Sequence, residues 1–181
     1  MAIAKKPHIP DFRAVRRTMM AVSQEVTERR VAEFAEHERE VFVSRIKAQD
    51  FDSFDANPLS DRYRRWKLAR GLDPRIMIRT GNYVDHIRVW RERIDRHTLG
   101  LRVGFHPRLL ARDAKGQRIT GLLMSTIAWV HERGSAKLPD LPVRPHWGPH
   151  FREMHERSNP LRASIKTEIR KRAKAELPGV L

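Results

Sequence analysis

Ile78-Arg-Thr-Gly-Asn-Tyr-Val-Asp-His-Ile-Arg-Val-Trp90 is the stretch whose reading decides the fold. Thr80 is a good helix N-cap, because its hydroxyl can accept from an orphan N–H in the first turn. Gly81 permits close backbone approach, and Tyr83, Val84 and Ile87 give a short helical turn its apolar side. From Ile87 the hydrophobic period changes to two, which predicts a strand with Ile87 and Val89 on one face. Leu99, Leu101, Val103 and Phe105 alternate with Gly100, Arg102 and Gly104, giving a second half-buried strand. With a turn over 91–97 between them, the two strands form an antiparallel hairpin.

Upstream, residues 1–10 read as an extended arm, and Asp11 caps a helix beginning at Phe12. Neither Gly nor Pro interrupts from Asp11 to Asp50, so the helix would be a rod of roughly 55 Å. A chain of this size has an expected radius of gyration near ~16 Å, or a diameter of about 35 Å. The apolar stripe Phe12, Val15, Met19, Val22 and Val26 is therefore expected to pack on another copy or partner. The acidic middle of the helix (Glu25, Glu28, Glu33, Glu36, Glu38 and Glu40) is either a solvated face or a dock for a neighbour's basic surface. The organisation expected is an arm and long helix over 1–50, followed by one α+β domain over 51–181.

Phe51 to Ser60 reads as a loop, after which Ser60 or Asp61 caps a basic helix closed by Gly71. Arg108 to Arg118 reads as a polar loop, and Thr120 as the cap of a helix that ends at His131-Glu-Arg-Gly134. Pro139, Pro142 and Pro145 make the next segment extended, with an edge strand through Val143. Pro149 opens a short helix to Arg157, and Asn159-Pro160 starts a last, basic one. The fold class is α+β: a small, mostly antiparallel sheet flanked by helices, with a long N-terminal helix.

Composition narrows the function. The chain has 181 residues, 37 Lys plus Arg against 22 Asp plus Glu, and a net charge of +15. Such an excess calls for a polyanion or an acidic protein surface. There is no cysteine, which excludes disulfides and thiolate metal sites. No stretch approaches the ~20 apolar residues of a membrane span, and the N-terminus has no signal-peptide pattern. A soluble protein of a reducing cytoplasm is expected.

Catalytic and metal motifs fail on inspection. His131-Glu132 begins a metalloprotease-like motif, but Ser135 stands where the second zinc histidine belongs. His146, His150 and His155 lack a third ligand at a convincing spacing, so no metal or cofactor is expected. Asp50, Asp52, Asp55 and Asp61 lie on a loop without the partners a metal-dependent nuclease needs. Two basic patches remain as candidates for nucleic-acid or acidic-partner contact. One is Arg62, Arg64, Arg65, Lys67 and Arg70, interleaved with Tyr63 and Trp66. The other is Arg162, Lys166, Arg170, Lys171, Arg172 and Lys174. Arg144, between two prolines, is expected to aim its guanidinium at a carboxylate or carbonyl.

Taken in order, several landmarks form a set. They are Pro58-Leu-Ser-Asp-Arg-Tyr-Arg-Arg-Trp-Lys67, the Thr80-Gly81 turn, Val103-Gly104, Ile127-Ala-Trp-Val-His-Glu-Arg-Gly134, and Leu141-Pro-Val-Arg-Pro145. This set resembles the tailed-bacteriophage virion morphogenesis family of tail-completion and head–tail joining proteins, over about residues 55–150. The resemblance gives Thr80, Gly81, His131, Glu132, Gly134, Arg144 and Pro145 structural roles. It implies a non-enzymatic neck protein of the virion, assembled in the bacterial host cytoplasm and acting as a homo-oligomeric ring. Connector and tail-tube or tail-terminator proteins would be its neighbours, with non-specific contact to packaged DNA. The sequence departs from the pattern at Tyr83 (usually Leu), at His86 (usually Ser), and at His146-Trp147 (usually Phe-Leu). The alternative function is a basic DNA-binding protein that contacts duplex through its C-terminal helix.

Overall fold

The computed structural model describes residues 11–78, 81–93, 99–112 and 117–178. Helix α1 (Phe12–Ala48) starts where Asp11 accepts from the Arg13 N–H at 2.9 Å. Then follow α2 (Asp52–Ala56), α3 (Asp61–Leu68), α4 (Asn82–Asp85), β1 (Arg88–Arg93), β2 (Leu99–Gly104), β3 (Leu110–Arg112), β4 (Arg118–Leu123), α5 (Met124–Arg133) and α6 (Trp147–Glu176). The class is α+β, as the sequence predicts, but the strands make two separate two-stranded antiparallel sheets. No helix among the described residues is long and apolar enough to cross a membrane.

The chain divides into two compact units, one holding the chain up to Glu33 and from Arg157 on, the other Phe34–Glu156. The division does not fall at residue 50. Both long helices cross it, α1 after Glu33 and α6 before Arg157.

In the first unit, α1 and α6 run antiparallel. Glu25 pairs with Arg172 at 2.5 Å, Arg29 and Arg30 both pair with Glu168, and Arg30 donates to Ser164 at 3.1 Å. Val22 is 2% exposed and Val26 0%, with Ala173 buried on α6. This corrects the reading of the 12–26 stripe as a partner surface. Val22 and Val26 are closed over within the chain, Val15 and Met19 are half-buried, and Phe12 remains exposed at 78%. The acidic Glu25 likewise meets a basic helix of its own chain. Helix α6 runs unbroken through Pro160, so the two C-terminal helices expected from the sequence are one. Pro160 removes one intrahelical bond, yet Leu161, Ile165, Ile169, Ala173 and Leu177 continue a partly or fully buried row on its far side.

The second unit has its own core. Phe42 and Ile46 from the end of α1 pack with Phe51 and Phe54, Ile76 and Ile78, Tyr83, Val84 and Ile87, Phe105, and Met124 and Ala128. The loop expected over 51–60 contains α2, because Phe51 and Phe54 are drawn into this core. The Ser60 cap is as expected, its hydroxyl accepting from the Tyr63 N–H at 3.3 Å. The β1–β2 hairpin is antiparallel, as expected, and pairs Val89 with Val103. Arg91–Arg93, expected in the turn over 91–97, continue β1 because they pair with Leu99–Leu101; residues 94–98, and the arm expected over 1–10, lie outside the described residues. The polar loop expected over 108–118 includes the strands of a second hairpin, β3–β4, and α5 starts at Met124 without a Thr120 cap. Val143 is not in a strand. Its segment is held instead by side chains: Ser53 Oγ donates to the Pro145 carbonyl at 2.6 Å and Asn57 Nδ2 to that of Val143 at 3.3 Å.

Candidate functional site

Residues far apart in sequence converge in the second unit on one buried polar node. Gly81, at φ +78°, is the N-cap of α4 and turns the chain so that Tyr83 and Val84 face inward. A side chain at Gly81 would also meet Asp85, its Cβ 2.7 Å from Oδ2. The cap is therefore Gly81, while Thr80, expected in that role, lies outside the described residues.

Tyr83 Oη lies 2.7 Å from His146 Nε2, and Trp147 Nε1 donates to Tyr83 Oη at 2.9 Å. His146 Nδ1 is 2.8 Å from the Arg144 carbonyl, which only accepts, so Nδ1 carries the hydrogen. The bare Nε2 then accepts from the tyrosine hydroxyl, whose oxygen accepts from the indole. One arrangement of protons satisfies all three side chains. Burial lowers the His146 pKa, and keeps the Tyr83 phenol far above its ordinary value. The network therefore holds neutral groups. Phe42 stacks on His146 at 5.9 Å between centroids, which encloses the node on its apolar side.

Glu132 supplies the negative charge next to this network. It stands in the last turn of α5, where Gly134 at φ +81° ends the helix. Its Oε2 accepts from the N–H groups of His146 at 2.9 Å and Trp147 at 3.1 Å, and its Oε1 from that of Gly148 at 2.8 Å. These are orphan donors at the start of α6, so one carboxylate from α5 caps a 30-residue helix. Gly148 makes room for it, since a Cβ there would sit 2.8 Å from Oε1.

Arg144 is 4% exposed and behaves as the sequence predicts. Its Nε donates to the Asn57 carbonyl at 2.6 Å and its Nη2 to that of Pro58 at 3.3 Å, while its backbone N–H donates to His131 at 2.7 Å. Desolvation lowers its pKa. His131 Nδ1 is shielded from solvent and has no hydrogen-bond partner among the described residues. Burial, then the neighbouring His146 and Arg144, lowers the His131 pKa to about 4.

Above the node opens a recess of about 730 Å³, a size suited to a ligand or an inserted segment. Its walls include Leu59, Met77, Ile119, Leu122, Ile127 and Leu141, with Tyr83, His131 and Arg144 contributing polar edges. The sequence does not show this recess, because β4, which supplies two of its walls, reads there as loop and helix.

The first basic patch divides in the structure. Lys67 is 2% exposed and its Nζ donates to the Arg75 carbonyl at 2.7 Å, so it is a structural cation and not a contact for a polyanion. Arg64 reaches Asp61 at 3.3 Å, and Arg70 lies 4.4 Å over Trp66, which stacks on Tyr63 at 5.4 Å. Arg62 and Arg65 are exposed. In the second patch Arg162, Lys166, Arg170 and Lys171 are all exposed, whereas Arg172 is engaged by Glu25. Among the described residues no group of three or more His, Asp or Glu is placed to hold a metal ion. In comparisons with known proteins, no family model, curated protein or solved structure matches the chain.

Proposed function

We propose that the chain is a structural subunit of a tailed-phage-like particle, a non-catalytic tail-completion or head–tail joining protein that acts as a ring of copies in the neck. The observation that carries this reading is the Tyr83–His146 hydrogen bond of 2.7 Å. These two residues are both departures from the pattern the sequence resembles, and they lie 63 positions apart. An apolar Leu–Phe pair replaced by a hydrogen-bonded Tyr–His pair is a compensated exchange at one contact, as expected if the family's framework is kept. The other landmarks support the same reading, since Gly81, Glu132, Gly134 and Arg144 all spend their chemistry on holding the node together.

A ring needs surfaces for its neighbours, and the second unit offers them. Leu68, Trp129, Leu138 and Val143 are exposed, as are Tyr63 and Ile119 at the recess. Exposed apolar side chains of this kind are the groups a neighbouring subunit would cover. Native mass measurement of the purified chain, alone and with isolated tails, tests the proposal. A closed oligomer of defined copy number that binds tail ends is expected. A chain that stays monomeric at high concentration and leaves tails untouched would sink it.

A further inference from the structure

The charge of the first unit is not balanced within it. Its described residues carry twelve basic and six acidic side chains. The seam between α1 and α6 consumes Glu25 and Glu168 on Arg172, Arg29 and Arg30, and Glu33 on Arg30. The outward face of α6 is left with cations. They follow a pattern that is plain in the sequence: the first four apolar residues of the row are each followed by a basic one, as Leu161-Arg162, Ile165-Lys166, Ile169-Arg170 and Ala173-Lys174. A row at every fourth position stays alongside the buried row for the whole length of the seam. All four cations are exposed, and none of their side chains makes an ion pair or hydrogen bond among the described residues. At 1.5 Å per residue the row has a charge every ~6 Å over ~18 Å.

We infer that this row on α6 binds the sugar–phosphate backbone of duplex DNA without reading sequence. Each duplex strand carries one charge per ~3.4 Å of axis, so ~18 Å of duplex offers phosphates in excess to the four cations. The chemistry of the face selects the partner. No large hydrophobic side chain is exposed on α6 between Arg157 and Glu176. The face therefore lacks the aromatic platforms that hold single strands and the apolar anchors that carry protein interfaces. What remains is a linear array of guanidinium and ammonium groups, which suits a regular polyanion. The inference rests on the neck reading only for the source of the DNA, the duplex that passes through a virion's neck.

The test is anisotropy binding of the full chain to a random-sequence 30-base-pair duplex across a potassium chloride series. Four phosphate contacts predict a slope of log affinity on log salt near about −3.6. The triple substitution Lys166→Gln, Arg170→Gln, Lys174→Gln should weaken the slope by about 2.7 and the affinity at low salt at least ~10-fold. Arg62→Gln with Arg65→Gln, on the exposed side of α3, should leave both unchanged. All these positions are exposed, and melting curves would check that the variants fold. A triple variant that binds like the parent overturns the inference. So does poly-glutamate that competes as well as duplex per charge, which would make the row a dock for acidic protein. Ring formation without duplex binding refutes only this inference, and duplex binding by a monomer refutes only the neck reading.

Discussion

The Glu132 cap of α6 makes a prediction whose sign reverses with genetic background. Replacing Glu132 by Ala strands the N–H groups of His146, Trp147 and Gly148, now bound at 2.8–3.1 Å. A buried hydrogen bond to a charged group contributes about 1.5–3 kcal/mol, and donors left near water recover part of that loss. A total cost of about 3 kcal/mol follows, or roughly 6–12 °C in melting temperature for a chain of this length. Gly148→Ala should also destabilise the parent, because its Cβ would stand 2.8 Å from Glu132 Oε1 and displace the carboxylate. In the Glu132→Ala background that obstacle is gone, and the same change should stabilise by up to about 1 kcal/mol through helix propensity. Urea or thermal unfolding of the four proteins in this double-mutant cycle measures both effects. Gly148→Ala with the same sign in both backgrounds would refute the cap as the reason for the glycine.

Gly81→Val forces a β-branched side chain into φ +78° and against Asp85, so α4 should not form and soluble yield should collapse. If its yield and melting temperature match the parent, the turn has been misjudged. Val26→Asp buries an unpaired charge in the α1–α6 seam. Hydrogen exchange should then lose protection over 12–33 and 157–176 while the core around Phe42 stays protected; loss of both together would deny the two-unit division. The third concerns acid. His131 has a folded pKa of about 4 against an ordinary 6.5, so the unfolded chain takes up the proton first. Its contribution is complete above pH 6.5, falls away as pH drops toward 4, and amounts to up to about 3 kcal/mol. His131→Leu should flatten the stability profile over that window, and an unchanged profile would mean that the ring is solvated.

Local chemistry carried much of this structure in plain view. The Asp11 and Ser60 caps, the Gly134 helix end and the Val89–Val103 pair each depend on residues close together or on a strict period of two. Arg144 was legible because prolines on either side leave its segment few conformations. The β3–β4 hairpin was not, because four of the six β4 residues are exposed and no alternation marks them as a strand. Lys67 was misread for a different reason. Nothing in a basic helical run reveals that one lysine will meet the Arg75 carbonyl from inside. The node falls between these cases. Tyr83 and His146 each stood out as departures, but only the folded chain shows that they answer one another.

The long N-terminal helix is where physical reasoning on the sequence went furthest and stopped short. The helix has 37 residues and so a length of about 55 Å. Its partner lies in the same chain, in the part of α6 beyond Pro160 that the sequence already marks as helical: Ser164, Glu168, Arg172 and Ala173 are the residues on its seam. The pairing is also written in the charges. Both helices carry Glu-x-x-x-Arg, as Glu25 to Arg29 and Glu168 to Arg172. Laid antiparallel, glutamate meets arginine at both positions, which is the observed Glu25–Arg172 and Arg29–Glu168 pairing. Laid parallel in that register, each glutamate would face a glutamate and each arginine an arginine. Exposed pairs of this kind contribute at most about 1 kcal/mol each, so the seam's stability comes from Val22, Val26 and Ala173. The ion pairs choose direction and register, and in doing so they use up the carboxylates that would otherwise neutralise the outer row of α6. The same four residues that fold the chain back on itself leave its C-terminal helix basic.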